Sequence, residues 1–345
     1  MPKRQDGEGV MRNMIQMGKL IHQLRKQQNL TQEALGGTLI SKSELSRIEN
    51  GQKEPDVFVL NALMCRLGES LEHFEIVVTG TEHELLRLRS LIEKSMQAKE
   101  FAEAEGKLQR YEELIENRKQ LHSDYIAEIR QAIKAKQQKV ELSVCELPKT
   151  TISAIDLLKD IRKAKGWSQE QFSGDVCARE TISCIENGRT PNHKMLLKLM
   201  EKHDIEWKNY YGYVETEDFK IYRMVREYRS LVQEDKESAG RLLEEIRAGL
   251  DCSNPVNRQF LEGSRLLERL ADNTGNMREL LQELAVCLHY TMPEYDGKLY
   301  RIPYREEVVL LQGCVECMKR LENVTAAEVL EQNLTKKLGK KLKVS

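Results

Sequence analysis

The sequence predicts an all-α protein whose plan is written twice in one chain. Three observations carry that expectation. The 345 residues hold 7 prolines, 20 glycines and few β-branched runs, with 40% hydrophobic and 32% charged residues, a helical composition with apolar material for two or three packed units. Apolar positions recur at helical spacing along most of the chain. The text also repeats itself: LRKQQNLTQEAL at 24–35 is matched by IRKAKGWSQEQF at 161–172, and the same offset of 137 carries LSRIENG at 45–51 onto ISCIENG at 182–188.

Taken in chain order, residues 1–17 read as a disordered N-terminal arm, with Met11 and Met14 as further start candidates. The first compact unit, 18–75, shows helical spacing over 18–27, 31–36, 41–49 and 56–67, and five short helices are expected there. Thr31, with Glu33 nearby, marks one helix start, and Ser41 followed three residues later by Glu44 has the spacing of a capping box. An amphipathic extension, 76–147, follows and reads as a helical hairpin, with Ala98, Ala102 and Ala104 where helices cross. The second compact unit spans 148–212. Ser168 stands at the equivalent of Thr31, but Ala178 replaces Ser41, which removes a cap worth about 1 kcal/mol unless Asp175 or another group substitutes. A loop shorter by one residue changes the offset to 136, bringing Pro55 onto Pro191, Leu60 onto Leu196 and Phe74 onto Tyr210. The last segment, 213–345, contains further helical text over 216–270, 277–290, 304–321 and 325–338. Its tail, with Lys336, Lys337, Lys340, Lys341 and Lys343, reads as a solvated or frayed end, with non-specific phosphate contact as the sharper alternative.

Composition narrows the function classes. With 54 Lys and Arg against 55 Asp and Glu the net charge is −1, so any contact with a polyanion requires a locally basic face. No apolar stretch approaches 18 residues and MPKRQDGEGVMRN leads into no apolar signal core, so neither a membrane span nor export is expected and the chain reads as cytoplasmic. The eight cysteines, at 65, 145, 177, 184, 252, 287, 314 and 317, lie mostly in apolar helical runs and read as core residues. Cys314 and Cys317 lack the second pair that a zinc site of that type needs, so no metal is expected. No GxxxxGK, HExxH or G-x-S-x-G stretch occurs and the seven histidines are scattered singly. The expectation is therefore no enzyme and no cofactor. Trp167 and Trp207 read as packing residues.

TQEAL, a short turn and SKSELSRIENGQKEP resemble the helix-turn-helix of the Cro and lambda-repressor class, the XRE family, over about 18–75 and again 155–211. The resemblance implies a recognition helix at 41–49, with a counterpart at 178–186, lying in the major groove of double-stranded DNA. It also implies an ion pair buried behind each recognition helix, Arg25 with Glu49 and Arg162 with Glu186. With Leu45 and Ile48 facing inward, the outward set is Lys42, Ser43, Glu44, Ser46 and Arg47. Lys42 and Arg47 suit guanine O6 and N7. Gln32 and Asn50 sit where the family contacts the DNA backbone, and Lys53 adds a phosphate contact. In the second unit the outward set is Arg179, Glu180, Thr181 and Ser183, with Cys184 in place of Arg47. Gln169, Asn187 and Arg189 complete its DNA-binding set.

A head of this kind joined to loose tetratricopeptide-like helices through LMCRLGESLEHFEIVVTGTEHELLRLRSLI resembles the Rgg, Rap, NprR, PlcR and PrgX group of Gram-positive regulators. That resemblance implies a helical array that dimerises and whose concave face binds a short peptide. Here the head is duplicated and each array is short. Asn254, Asn257, Asn273 and Asn276 can offer amides to a peptide, and equally fit turn positions. The sequence thus points to a DNA-binding transcriptional regulator, acting as a homodimer or an intramolecular pseudo-dimer, with a short peptide or other ligand as modulator. The alternative is an interaction scaffold whose heads serve packing or dimerisation.

Overall fold

The computed structural model describes residues 17–78, 80–115, 119–139, 150–187, 193–203, 210–339 and 341–343. The arm over 1–16, Cys145, Arg189 and Trp207 lie outside the described residues. The architecture is all-α in character. The first head is built from α1 (Met17–Gln27), α2 (Gln32–Gly36), α3 (Lys42–Glu49) and α4 (Val57–Arg66). The second repeats it as α8 (Ala154–Ala164), α9 (Gln169–Ser173), α10 (Arg179–Glu186) and α11 (His193–Lys202). Between them run α5 (Gly80–Gln97), α6 (Phe101–Leu114) and α7 (Lys119–Lys134), packed in sequence. After the second head come α12 (Phe219–Glu234), α13 (Lys236–Ala248), α14 (Pro255–Ala271), α15 (Met277–His289), α16 (Arg305–Arg320) and α17 (Val324–Leu338). In this last group α14 packs on both α15 and α16.

The structure differs from the expectation where a fifth helix was foreseen. A single 3-10 turn at Leu71–His73 runs straight into strand β1 (Phe74–Val78), all five residues of which are buried. FEIVV is aromatic and β-branched, the residue types that suit a pleated buried surface and lose side-chain freedom in a helix. The other strands are β2 (Thr150–Ser153), leading into α8, β3 (Tyr210–Gly212), leaving the second head, and β4 (Lys341–Lys343). They form one sheet of order β3-β1-β2-β4. β1 runs parallel to β2, with Val77 opposite Ile152, and antiparallel to β3, with Glu75 opposite Tyr211. β4 lies antiparallel to β2. Where a solvated or frayed tail was expected, Lys341–Lys343 form a sheet strand, and Lys337 reaches Asp160 of α8 at 3.2 Å.

Among the described residues, three apolar cores result. The largest joins the first head to α5–α7 and α12–α14, with Phe74 of β1 edge-on to Tyr222 of α12 at 5.0 Å between ring centres. Arg89 of α5 is buried inside it, donating to the Tyr111 hydroxyl at 2.9 Å and lying 3.8 Å over the Tyr125 ring, so its charge is held by aromatic faces and a phenol. The second head has a smaller core that takes in Val77 from β1 and Ile302 from the C-terminal segment. The third lies within α14–α17, where Cys287, Cys314 and Cys317 are buried as apolar side chains. Burial pushes the thiols of Cys287 and Cys314 up to about 12.

Candidate nucleic-acid interface

Each head presents its third helix by anchoring one side of it. In α3, Leu45, Ile48 and Glu49 are buried, which leaves Lys42, Ser43, Arg47 and Asn50 exposed and Ser46 half-buried. The helix starts at Ser41, whose hydroxyl accepts from Glu44 N at 3.2 Å. The Glu44 carboxylate does not serve as the cap partner that its spacing suggested, because it pairs with Lys53 across the turn. Lys42 pairs with Glu33 at 3.1 Å. Both pairs are solvent-facing, so each is worth about 0–1 kcal/mol and is readily exchanged for a phosphate or a base edge.

Behind α3 lies the ion pair. Arg25 Nε donates to Glu49 Oε1 at 2.6 Å, Nη2 donates to Oε2 at 2.8 Å, and Nη1 donates to the Leu30 carbonyl at 2.8 Å. Gln32 Nε2 donates to Glu49 Oε2 at 2.9 Å, and His22 Nδ1 stands 2.9 Å from the same oxygen. Burial works to raise the Glu49 carboxyl, but the hydrogen bonds from Arg25, Gln32 and His22 outweigh it and hold the group at about 2. One N–H of the Gln32 amide is thus used inside the head, a bond that the sequence reading did not foresee. A cleft of about 390 Å³ opens beside the pair, with His22, Lys26, Gln32 and Lys42 on its walls.

The second head reproduces this frame. Arg162 donates to Glu186 through Nε at 2.5 Å and Nη2 at 2.9 Å, and to the Trp167 carbonyl at 2.7 Å. Gln169 Nε2 donates to Glu186 Oε2 at 2.9 Å. Burial again works to raise Glu186, and the bonds from Arg162 and Gln169 leave it below the usual carboxylate range. Lys159 takes the position of His22 and donates to the Glu186 carbonyl at 3.1 Å, a contact that sequence reasoning missed although the repeat aligns the two positions.

On the outward side of α10, Arg179, Glu180, Cys184 and Asn187 are exposed and Ser183 is half-buried. Ala178 leaves the helix without a side-chain cap, and Asp175 does not substitute, being paired with Lys202 of α11. In the first head the matching residue, Arg66 of α4, donates to the Leu35 and Gly36 carbonyls at 2.7 and 2.6 Å. It thereby satisfies the open end of α2. The turn between second and third helices needs glycine in both heads, Gly37 at φ 50° and Gly174 at φ 49°. Trp167 packs against His203 at 4.4 Å between ring centres, beside Phe172.

Outside the heads, the four asparagines considered for peptide contact are used internally. Asn254 and Asn276 cap α14 and α15, Asn273 turns the chain at φ 54°, and Asn257 is fully buried against the backbone of Glu215 and Asp251. Among the described residues, no group of His, Cys, Asp and Glu is arranged to hold a metal ion, and no helix is long and apolar enough to cross a membrane.

The family model described as helix-turn-helix matches the chain twice, over residues 21–74 and 158–207. No curated protein and no solved structure matches it. The two matched segments coincide with the two heads, so the chain carries two helix-turn-helix domains of the XRE type.

Proposed function

We propose that this protein is a sequence-specific DNA-binding transcriptional regulator whose helix α3 enters the major groove. The observation that carries the reading is the division of α3 into a buried edge of Leu45, Ile48 and Glu49 and an exposed edge of Lys42, Ser43 and Arg47. Lys42 and Arg47 have the reach and the donors to read guanine. Asn50 and Lys53, exposed at the following turn, can supply phosphate contacts. An overall charge near zero keeps non-specific attraction weak, so discrimination falls to these local groups.

The helical region after the second head supports a ligand-responsive role. A groove of about 580 Å³ lies between α14 and α15, with Arg265, Arg269, Glu279 and Glu283 along it. Charges of both signs on facing helices suit a short zwitterionic ligand such as a peptide.

Capture of fragmented genomic DNA by the purified chain at two salt concentrations tests the regulator reading. Discrete fragments are expected, with affinity falling steeply as salt rises because phosphate contacts release counterions. A Lys42→Ala/Arg47→Ala variant is expected to lose those fragments. Equal recovery of unrelated DNA by both proteins would leave the interaction scaffold as the better account.

A further inference from the structure

The strands that leave the two heads, β1 and β3, are related by a local two-fold axis. The repeat offset of 136 makes Phe74, Glu75 and Ile76 the counterparts of Tyr210, Tyr211 and Gly212. In the antiparallel pair β1–β3, Glu75 lies opposite Tyr211, Phe74 opposite Gly212 and Ile76 opposite Tyr210. Counterparts face each other at the centre and exchange places on either side, the signature of a two-fold axis through that central pair. The connections agree, since seven residues separate α4 from β1 and seven separate α11 from β3. The heads are joined by direct contacts. β1 also pairs with β2, which leads directly into α8, so the exit strand of one head is hydrogen-bonded to the entry strand of the other. Helix α12, which follows the second head, crosses back to the first, where Arg223 bonds Glu69 at 2.9 Å and Arg226 approaches Glu72 at 3.5 Å.

Extended from the exit strands to the heads that precede them, this axis relates α3 to α10 as two chains are related on a symmetric operator. The faces themselves are unlike. Arg47 is replaced by Cys184, Ser43 by Glu180 and Lys42 by Arg179. The first face has two cationic donors for guanine, and the second sets one such donor beside a carboxylate that can accept from cytosine N4.

We infer that one chain, as a monomer, reads a bipartite duplex whose two half-sites lie at fixed spacing and differ in sequence, α3 reading one and α10 the other. The inference rests on the regulator reading above. Its half-sites are expected one helical turn apart, about 34–36 Å.

Selection of bound duplexes from a random pool with the full chain, combined with light scattering of the purified complex, tests it. Expected are a non-palindromic two-part site and one chain per duplex. Arg47→Ala is expected to relax base preference in one half, and Glu180→Gln in the other, each by about tenfold to a hundredfold at the affected position. Both side chains are exposed, so folding is not at stake. A palindromic site occupied by two chains overturns the inference while leaving the regulator reading intact. So does a one-part site whose preference Glu180→Gln leaves unchanged. Failure of any sequence to be enriched overturns both.

Discussion

Glu49 shows how a single residue connects the stability of a head to its recognition surface. It closes α3, and its two oxygens take hydrogen bonds from Arg25 and Gln32. Removing one partner from such a buried pair strands the other, so Arg25→Ala is expected to cost about 3–5 kcal/mol in thermal or denaturant unfolding of the first head. Gln32→Ala should cost less, about 1.5–3 kcal/mol, the worth of one hydrogen bond to a charged group. The pH dependence has a definite sign. Glu49 sits at about 2 against an ordinary 4.5, so its contribution is complete above about 4.5 and is lost as pH falls from there toward 2. Unfolding followed by circular dichroism across that window should show an acid limb that flattens in Glu49→Gln. The pair was legible from Arg25 and the IENG text through family resemblance. The bond from Gln32 to Glu49 was not, because which partner an amide finds depends on where three helices bring it.

At the scale of the element, the two recognition helices differ most at their starts. α3 has the Ser41 cap and α10 has none. Ala178→Ser is expected to stabilise the second head by about 1 kcal/mol, and Ser41→Ala to destabilise the first by a similar amount, measured as opposite shifts in unfolding midpoint. This asymmetry was readable in the sequence, since a cap depends on neighbours two or three residues away. The full capping box at Ser168 and Gln171 was equally local. Strand β1 was not read, although FEIVV is a β-type run. Five residues of such text fit a helix, a strand or a buried loop until a partner strand is known.

In the whole molecule, the C-terminal segment is fastened to the second head. Lys337 of α17 reaches Asp160, which is 2% exposed, and also donates to the Tyr300 carbonyl at 3.2 Å. β4 then extends the sheet beside β2. Lys337→Met leaves that buried carboxylate without its lysine and is expected to cost about 3–5 kcal/mol. Hydrogen exchange should report the loss as faster exchange in α8 and β2, the elements that Lys337 and β4 engage, than in the corresponding α1. A uniform change in both heads would show instead that the chain opens as one unit.

The sequence by itself determined most of the helices, the repeat and the outward set on each third helix, and family resemblance supplied the buried ion pairs. Helical hydrogen bonds close within four residues, so periodicity and caps record them locally. The two-fold relation, the joining of the heads through β1 and β2, and the capture of the chain end by β4 were decided only by the tertiary structure. A strand satisfies its backbone groups on a partner that no local pattern specifies, and here β1 and β2 are brought together from positions such as Val77 and Ile152, far apart in the chain.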